Sequence, residues 1–407
     1  MTTYHLKCST CGREFPGDDA PEYLCPYCSK KNKPGLPLSG VLECLYDYES
    51  WKKTHKRENA KKEILLPAFD LRPLTFDALL IGNTPLYDSK RIAEAVGIKS
   101  VLLKDETVEP TGSYKDRASQ LVAAMALEKG YKEITCASTG NAASSLAGIC
   151  ASAGLKSYVF VSASAPKAKL IQIAAYGATL FPIDGTYDDC FKLCLQATEK
   201  FGWYNRNTAY NPWTIEGKKT GAWEIAWQCD FQLPDQVFVP TGDGVILSGI
   251  YKGFFDLKKL GWIEKIPRLV AVQPENSNAI SKSFDENVDA ICSGASSIAD
   301  SLVVDTPCNL KMAIRCIQDS GGYSITVTEE KIISAISETT SQTGIFVEPA
   351  AAAALAGLKK AKENNKINSD ESAVLLLTGS GLKNIAAAEN AVQIPPSIPP
   401  DLKLIRE

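Results

Sequence analysis

Short apolar runs recur from about Ile81 to Val392, and longer stretches with helical character separate them. Val101–Leu103, Ile134–Ala137, Tyr158–Val161, Gln236–Val239, Leu269–Val272 and Ala373–Leu377 read as strands. Tyr114–Lys129, Ala142–Ala153, Pro166–Tyr176 and Tyr187–Phe201 read as helices that follow them. This alternation predicts parallel sheets covered by helices, an α/β class. The pattern is absent at both ends. Residues 1–35 are too short for a core of their own, and residues 36–85 form a connector. Within it, WKKTHKRENAKKEI is so charged that it predicts a solvated helix or loop. The Pro-rich IPPSIPPDLKLIRE predicts an extended surface tail.

Composition narrows the function classes. The formal net charge of −3 gives no basis for phosphate-backbone binding, which needs clustered Lys and Arg, so no nucleic-acid partner is expected. No apolar run approaches the roughly 20 residues of a membrane span, and MTTYHLKCST is unlike a signal peptide. The expectation is a cytoplasmic protein without a membrane partner. The only histidines, His5 and His55, lie near the N-terminus. A Ser-His-Asp triad or His-based metal centre in the main body is therefore excluded. Most of the thirteen cysteines sit in apolar segments, as Cys136 and Cys150 do, and read as buried free thiols.

Four cysteines differ. Cys8 and Cys11 form one CxxC and Cys25 and Cys28 another, with thirteen residues between them. Each pair brings two thiolates to one ion from a tight turn, and two pairs complete a tetrahedral zinc site. Four thiolates leave no open position, so the ion would be structural and could supply the unit's folding energy. The spacing also suits four uncommitted thiols.

Four strand-turn-helix segments carry candidate chemistry. In EPTGSYKDRA, Lys115 opens a helix past the carboxyl end of a strand, where open α/β sheets bind ligands. The positive end of a helix dipole disfavours a protonated amine, and a neutral amine is what Schiff-base chemistry needs. In CASTGNAASS, Ser138, Thr139 and Asn141 surround a new helix start, suiting either a carboxylate or phosphate receptor or a plain N-cap. In VPTGDGVILSG, Gly242, Asp243 and Gly244 precede Val245 and Ile246 at another helix start, where backbone N–H groups converge on an anion. The dinucleotide G-x-G-x-x-G spacing is not met there. In VLLLTGSGLKN, a strongly apolar strand delivers Thr378 to its carboxyl end.

Together, in this order, the four segments resemble the fold-type-II pyridoxal-phosphate family that includes the tryptophan synthase β chain. The resemblance runs from about Ile81 to Val392. It implies two α/β domains with the cofactor between them: a small one over 100–215, a large one over 36–99 and 216–395, a zinc-ribbon-like unit over 1–35 and a tail over 396–407. It implies Lys115 as the attachment and catalytic lysine, Asn141 at the cofactor's phenolic oxygen, Gly242, Asp243, Gly244, Val245 and Ile246 around its phosphate, and Thr378 at the ring nitrogen. A neutral hydroxyl at that nitrogen makes the ring a milder electron sink, suited to elimination and replacement.

Within the family, SYKDR, NTAYNPWTIEGKKT, GIFVEPAAAAALAGL and TGSGLK are similar to the threonine-synthase branch, whose second segment reads N-S-x-N-P-x-R-x-E-G-Q-K-T. That branch is a lyase converting O-phospho-L-homoserine and water to L-threonine and phosphate, and the family is homodimeric. Ser138, Thr139, Asn141, Asn207 and Thr208 are then the expected substrate contacts. The chain departs from the branch at Thr214, where an arginine is expected, at Ala142, and at Asp243 and Val245. Each change removes a phosphate-friendly group, for which Asn207, Thr208, Lys218 and Lys219 could compensate. Two rival expectations follow: deamination or β-replacement on an unphosphorylated amino acid, and a non-catalytic ligand-binding zinc-ribbon protein.

Overall fold

The computed structural model describes residues 4–33, 35–59, 79–138, 140–163, 167–185, 187–401 and 405. Its thirteen strands form three sheets. The first joins β1 (Tyr4–Cys8), β2 (Glu14–Pro16) and β3 (Leu42–Tyr46) in the antiparallel order β2-β1-β3. The chain then enters a larger sheet through β4 (Leu86–Asp88) and β5 (Ser100–Asp105). It crosses over to build a second α/β layer from β6 (Glu133–Ala137), β7 (Lys156–Ser162), β8 (Thr179–Ile183) and β9 (Tyr204–Asn205), in the parallel order β8-β7-β6-β9. It returns through β10 (Gln236–Pro240), β11 (Arg268–Pro274), β12 (Tyr323–Val327) and β13 (Ser372–Leu377). The large sheet has the order β12-β11-β10-β13-β5-β4, parallel except for the edge strand β4.

All six sequence-predicted strands and all four helices are present, the helices as Lys115–Glu128, Asn141–Ala153, Lys167–Ala175 and Tyr187–Phe201. β10 is buried at every position, as expected of a parallel strand covered on both faces. Three expectations need correction. The small domain does not begin at residue 100: β5 pairs with β13 from Ser100–Ser372 to Asp105–Leu377, so it belongs to the large sheet. An apolar run marks a strand but not its neighbours. The cysteine unit does not end at 35, because β3 completes its sheet, and Leu6, Leu42 and Trp51 share one core with Trp213 and Ile250. The charged connector is not wholly solvated either. Trp51, in the helix Tyr48–Thr54, is 1% exposed and stacks on Tyr46 at 4.3 Å, while charged residues around it face out. Its continuation, residues 60–64, lies outside the described residues. Residues 394–401 have no regular structure beyond a bend and are exposed, as read for the tail. Among the described residues no helix is long and apolar enough to cross a membrane.

Candidate active site

Lys115 is the first residue of its helix. The loop before it is fixed from both sides. Asp116 accepts from the Thr111 N–H at 2.8 Å and the Thr111 hydroxyl at 2.5 Å. The Tyr114 N–H donates to the Thr378 carbonyl at 3.0 Å, and the Ser380 N–H to the Gly112 carbonyl at 3.0 Å. The lysine loop is thus laid across the carboxyl end of β13, which brings Lys115 and Thr378 together from positions far apart in the chain. Among the described residues the Lys115 ammonium has no hydrogen bond or ion pair. Burial, reinforced by the Arg206 guanidinium, lowers its pKa to about 8, against the pull of Glu348 and Asp243. A substantial neutral fraction near physiological pH makes it a nucleophile and a proton carrier.

Asn141 starts the helix after β6. Its Nδ2 donates to Glu348 Oε1 at 2.9 Å and to Ser301 Oγ at 3.4 Å, and its buried Oδ1 has no partner among the described residues. Ser138, half-buried beside it, accepts from the Gly140 N–H at 3.2 Å. Thr139 lies outside the described residues. After β10, Gly242–Ile246 turn into the helix Val245–Leu260. Gly244 has φ +83°, and a Cβ there would stand 2.7 Å from Ala313 Cβ, so the turn admits glycine alone. The first-turn N–H groups of this helix have no intrahelical acceptor and suit an anion. Asp243 accepts from the Cys308 N–H through Oδ1, while its buried Oδ2 has no partner among the described residues. Burial raises its carboxyl to about 7, so beside an anion it can stay protonated and donate rather than repel.

The segment 205–220 divides differently from the expectation. Asn207 Oδ1 accepts from the Ala137 N–H at 2.8 Å and its Nδ2 faces Cys194 Sγ at 3.6 Å. It braces the end of β6. Thr208 Oγ1 accepts from Lys218 Nζ at 3.2 Å. Thr214 is fully buried and donates to the Asn211 carbonyl at 2.7 Å, so its hydroxyl is turned onto the backbone. Lys219 pairs with Glu216 at 2.6 Å and Asp256 at 2.9 Å, in a network shared with Tyr46 of β3. It cannot serve the site. Sequence reasoning missed Glu348 and Arg206 as site groups. Glu348 stands inside the quoted FVEPA segment, but only its contact with Asn141, 207 positions away, reveals its role.

An amine of lowered pKa with no partner among the described residues, a helix start suited to an anion and the side-chain amide of Asn141 form a set of groups that fits pyridoxal phosphate. The cysteine cluster fits a metal as well. Its four Sγ atoms lie within 4.8 Å of one another, with Cys8–Cys28 at 3.8 Å and Cys11–Cys25 at 3.9 Å. A tetrahedron with Zn–S bonds of about 2.3 Å has edges of about 3.8 Å. The Thr10 and Cys11 N–H groups point at Cys8 Sγ from 3.4 and 3.5 Å, a turn that stabilises thiolate.

A profile of the pyridoxal-phosphate dependent enzyme family matches residues 78–379. The threonine synthase of Methanosarcina acetivorans is 35% identical over 99% of this chain and 98% of its own. That of Methanocaldococcus jannaschii is 34% identical over 98% of both. Among solved structures, maize serine racemase aligns with a TM-score of 0.67 over 74% of this chain and 89% of its own, and at 20% identity it speaks to the fold alone.

Proposed function

The chain belongs to the pyridoxal-phosphate dependent enzyme family, and we propose that it acts as a threonine synthase, a lyase that converts O-phospho-L-homoserine and water to L-threonine and phosphate. The observation that carries this reading is Lys115, an amine without a partner among the described residues, lowered to about 8 in the field of Asp243, beside a helix start suited to an anion, and of Glu348, the acceptor of Asn141. Near-full-length similarity to threonine synthases selects the reaction within the family. Lys115 would hold the cofactor's aldehyde carbon, the N–H groups of Gly244, Val245 and Ile246 would hold its phosphate with Gly242 and Asp243 shaping the loop, Asn141 would take its phenolic oxygen and Thr378 would stand at its ring nitrogen. When bound, the cofactor supplies a sink for negative charge at the substrate α-carbon. Lys115 Nζ would be the base at the substrate α-carbon and then at its β-carbon, giving up the first proton before it takes the second, a role suited to an amine near neutral pKa. Ser138, Thr139 and Asn141 receive the substrate carboxylate, and Thr208 faces its side chain. We further assign a structural zinc ion to Cys8, Cys11, Cys25 and Cys28, and a homodimer working in the cytoplasm.

The inward turn of the Thr214 hydroxyl favours a second reading, deamination or β-replacement on an unphosphorylated amino acid. Product identification separates the two. O-phospho-L-homoserine yielding threonine supports the first, and ketoacid with ammonia from L-serine or L-threonine supports the second. A protein that takes up no pyridoxal phosphate would instead support a non-catalytic, ligand-binding role.

A further inference from the structure

The helix Trp213–Gln228 carries two adjacent lysines into opposite surroundings. Lys219 is neutralised by Glu216 and Asp256, on the side of β3. Lys218 is fully buried, and its Nζ has one acceptor among the described residues, the Thr208 hydroxyl at 3.2 Å. The charged groups acting on it are Lys115, Arg206 and Asp243, two cations and one carboxyl. Burial, Lys115 and Arg206 together hold it well below the ordinary lysine range. A protonated amine held by a single neutral hydroxyl is what low-dielectric surroundings disfavour, and Lys218 stands in that position. An incoming anion beside Nζ offsets that cost and lets Lys218 take up its proton.

Position explains why the lysine is there. The threonine-synthase pattern has arginine at the position of Thr214 and glutamine at that of Lys218. In this chain the first has lost its cation and the second has gained one. Residues four apart lie on one helical face. The cation has thus moved one turn along the same face, while the Thr214 hydroxyl has been turned onto the Asn211 carbonyl.

We propose that Lys218 is the specificity-determining anchor for the phosphate group of the substrate, replacing the arginine missing at Thr214. The proposal rests on the threonine synthase reading for the identity of the substrate, but the anion site can be tested without turnover. Inorganic phosphate is the probe. The cofactor-loaded protein, Lys218→Gln and Lys218→Arg are titrated with it by calorimetry and through the cofactor's absorption band. Loss of one charge-assisted contact predicts phosphate binding about tenfold or more weaker in Lys218→Gln. Lys218→Arg should restore it to within a few-fold, with cofactor content unchanged in both. The KM for O-phospho-L-homoserine should rise in parallel in Lys218→Gln, with a smaller change in kcat. Glutamine is the residue of the related pattern, and an intact absorption band reports a folded site. Phosphate affinity within twofold of the parent in Lys218→Gln would overturn the proposal. So would a Lys218→Gln protein that loses pyridoxal phosphate instead, because the lysine would then serve the cofactor's phosphate. If phosphate binds through Lys218 but O-phospho-L-homoserine is not converted, the anion anchor stands and the threonine synthase reading falls. Conversion that is indifferent to Lys218→Gln has the opposite meaning.

Discussion

The hydroxyl of Tyr114 donates to the backbone carbonyl of Lys218 at 2.6 Å, so the residue before the cofactor lysine is fastened to the helix that carries the second buried lysine. Gly221 makes the contact sterically feasible, since a Cβ there would lie 2.3 Å from the Tyr114 oxygen. Tyr114→Phe keeps the ring and removes the bond. The expected result is a loss of about 1 kcal/mol in stability with a few-fold rise in KM for a phosphorylated substrate. Unchanged melting temperature and kinetic constants would show that the tie does not position Lys115 against Lys218.

Cofactor loading should follow the protonation of Lys115. Only the neutral amine attacks an aldehyde, and burial with Arg206 brings the pKa to about 8. The rate of pyridoxal phosphate uptake by cofactor-free protein should rise with pH up to about 8 and level off above it. An ordinary lysine would give a rate still climbing towards pH 10, and that profile would contradict the assigned environment.

Glu348 should act through Asn141. Glu348→Ala leaves the Asn141 amide without its 2.9 Å acceptor, a loss of about 1–3 kcal/mol for a buried donor. Affinity for pyridoxal phosphate, read by spectral titration, should fall roughly 10- to 100-fold. Glu348→Gln keeps an acceptor oxygen and should lose much less. Equal losses in the two variants would show that the carboxylate charge, not the hydrogen bond, is what the site needs.

The cysteine cluster should hold one zinc ion per chain, and its removal should be felt at a distance. Tyr46 of β3 joins the Lys219–Asp256 network, and Lys219 sits on the same helix as Lys218. Cys8→Ser or exhaustive chelation should lower the melting temperature by several degrees and weaken phosphate binding. Protein purified without metal, yet fully stable, would set aside both effects.

Much of the α/β body was legible because its central strands, such as β10 and β13, are apolar on both faces and several of its helices begin at turns rich in Gly, Ser and Asn. Even the bounds of Tyr187–Phe201 follow from that punctuation. What could not be read was pairing. β5 reads as an apolar strand wherever it sits, and only its register with β13 assigns it to the large sheet. In the site, Lys115, Asn141, Gly244 and Thr378 stood out because each lies where a strand gives way to a turn. Glu348 and Arg206 carry no such local mark. Their meaning comes from a neighbour distant in sequence. The partners of Asn207, the Ala137 N–H and Cys194, likewise carry no local mark in the sequence. The adjacent lysines 218 and 219 are indistinguishable by type, and the helix turns them to opposite environments.

The most direct test follows phosphate and threonine together when cofactor-loaded protein is given O-phospho-L-homoserine. The account predicts release of both in equal amounts, with turnover and the lysine-bound absorption band lost in Lys115→Ala. A parent protein that shows the band but releases neither product would contradict it. Turnover retained in Lys115→Ala would contradict it as well.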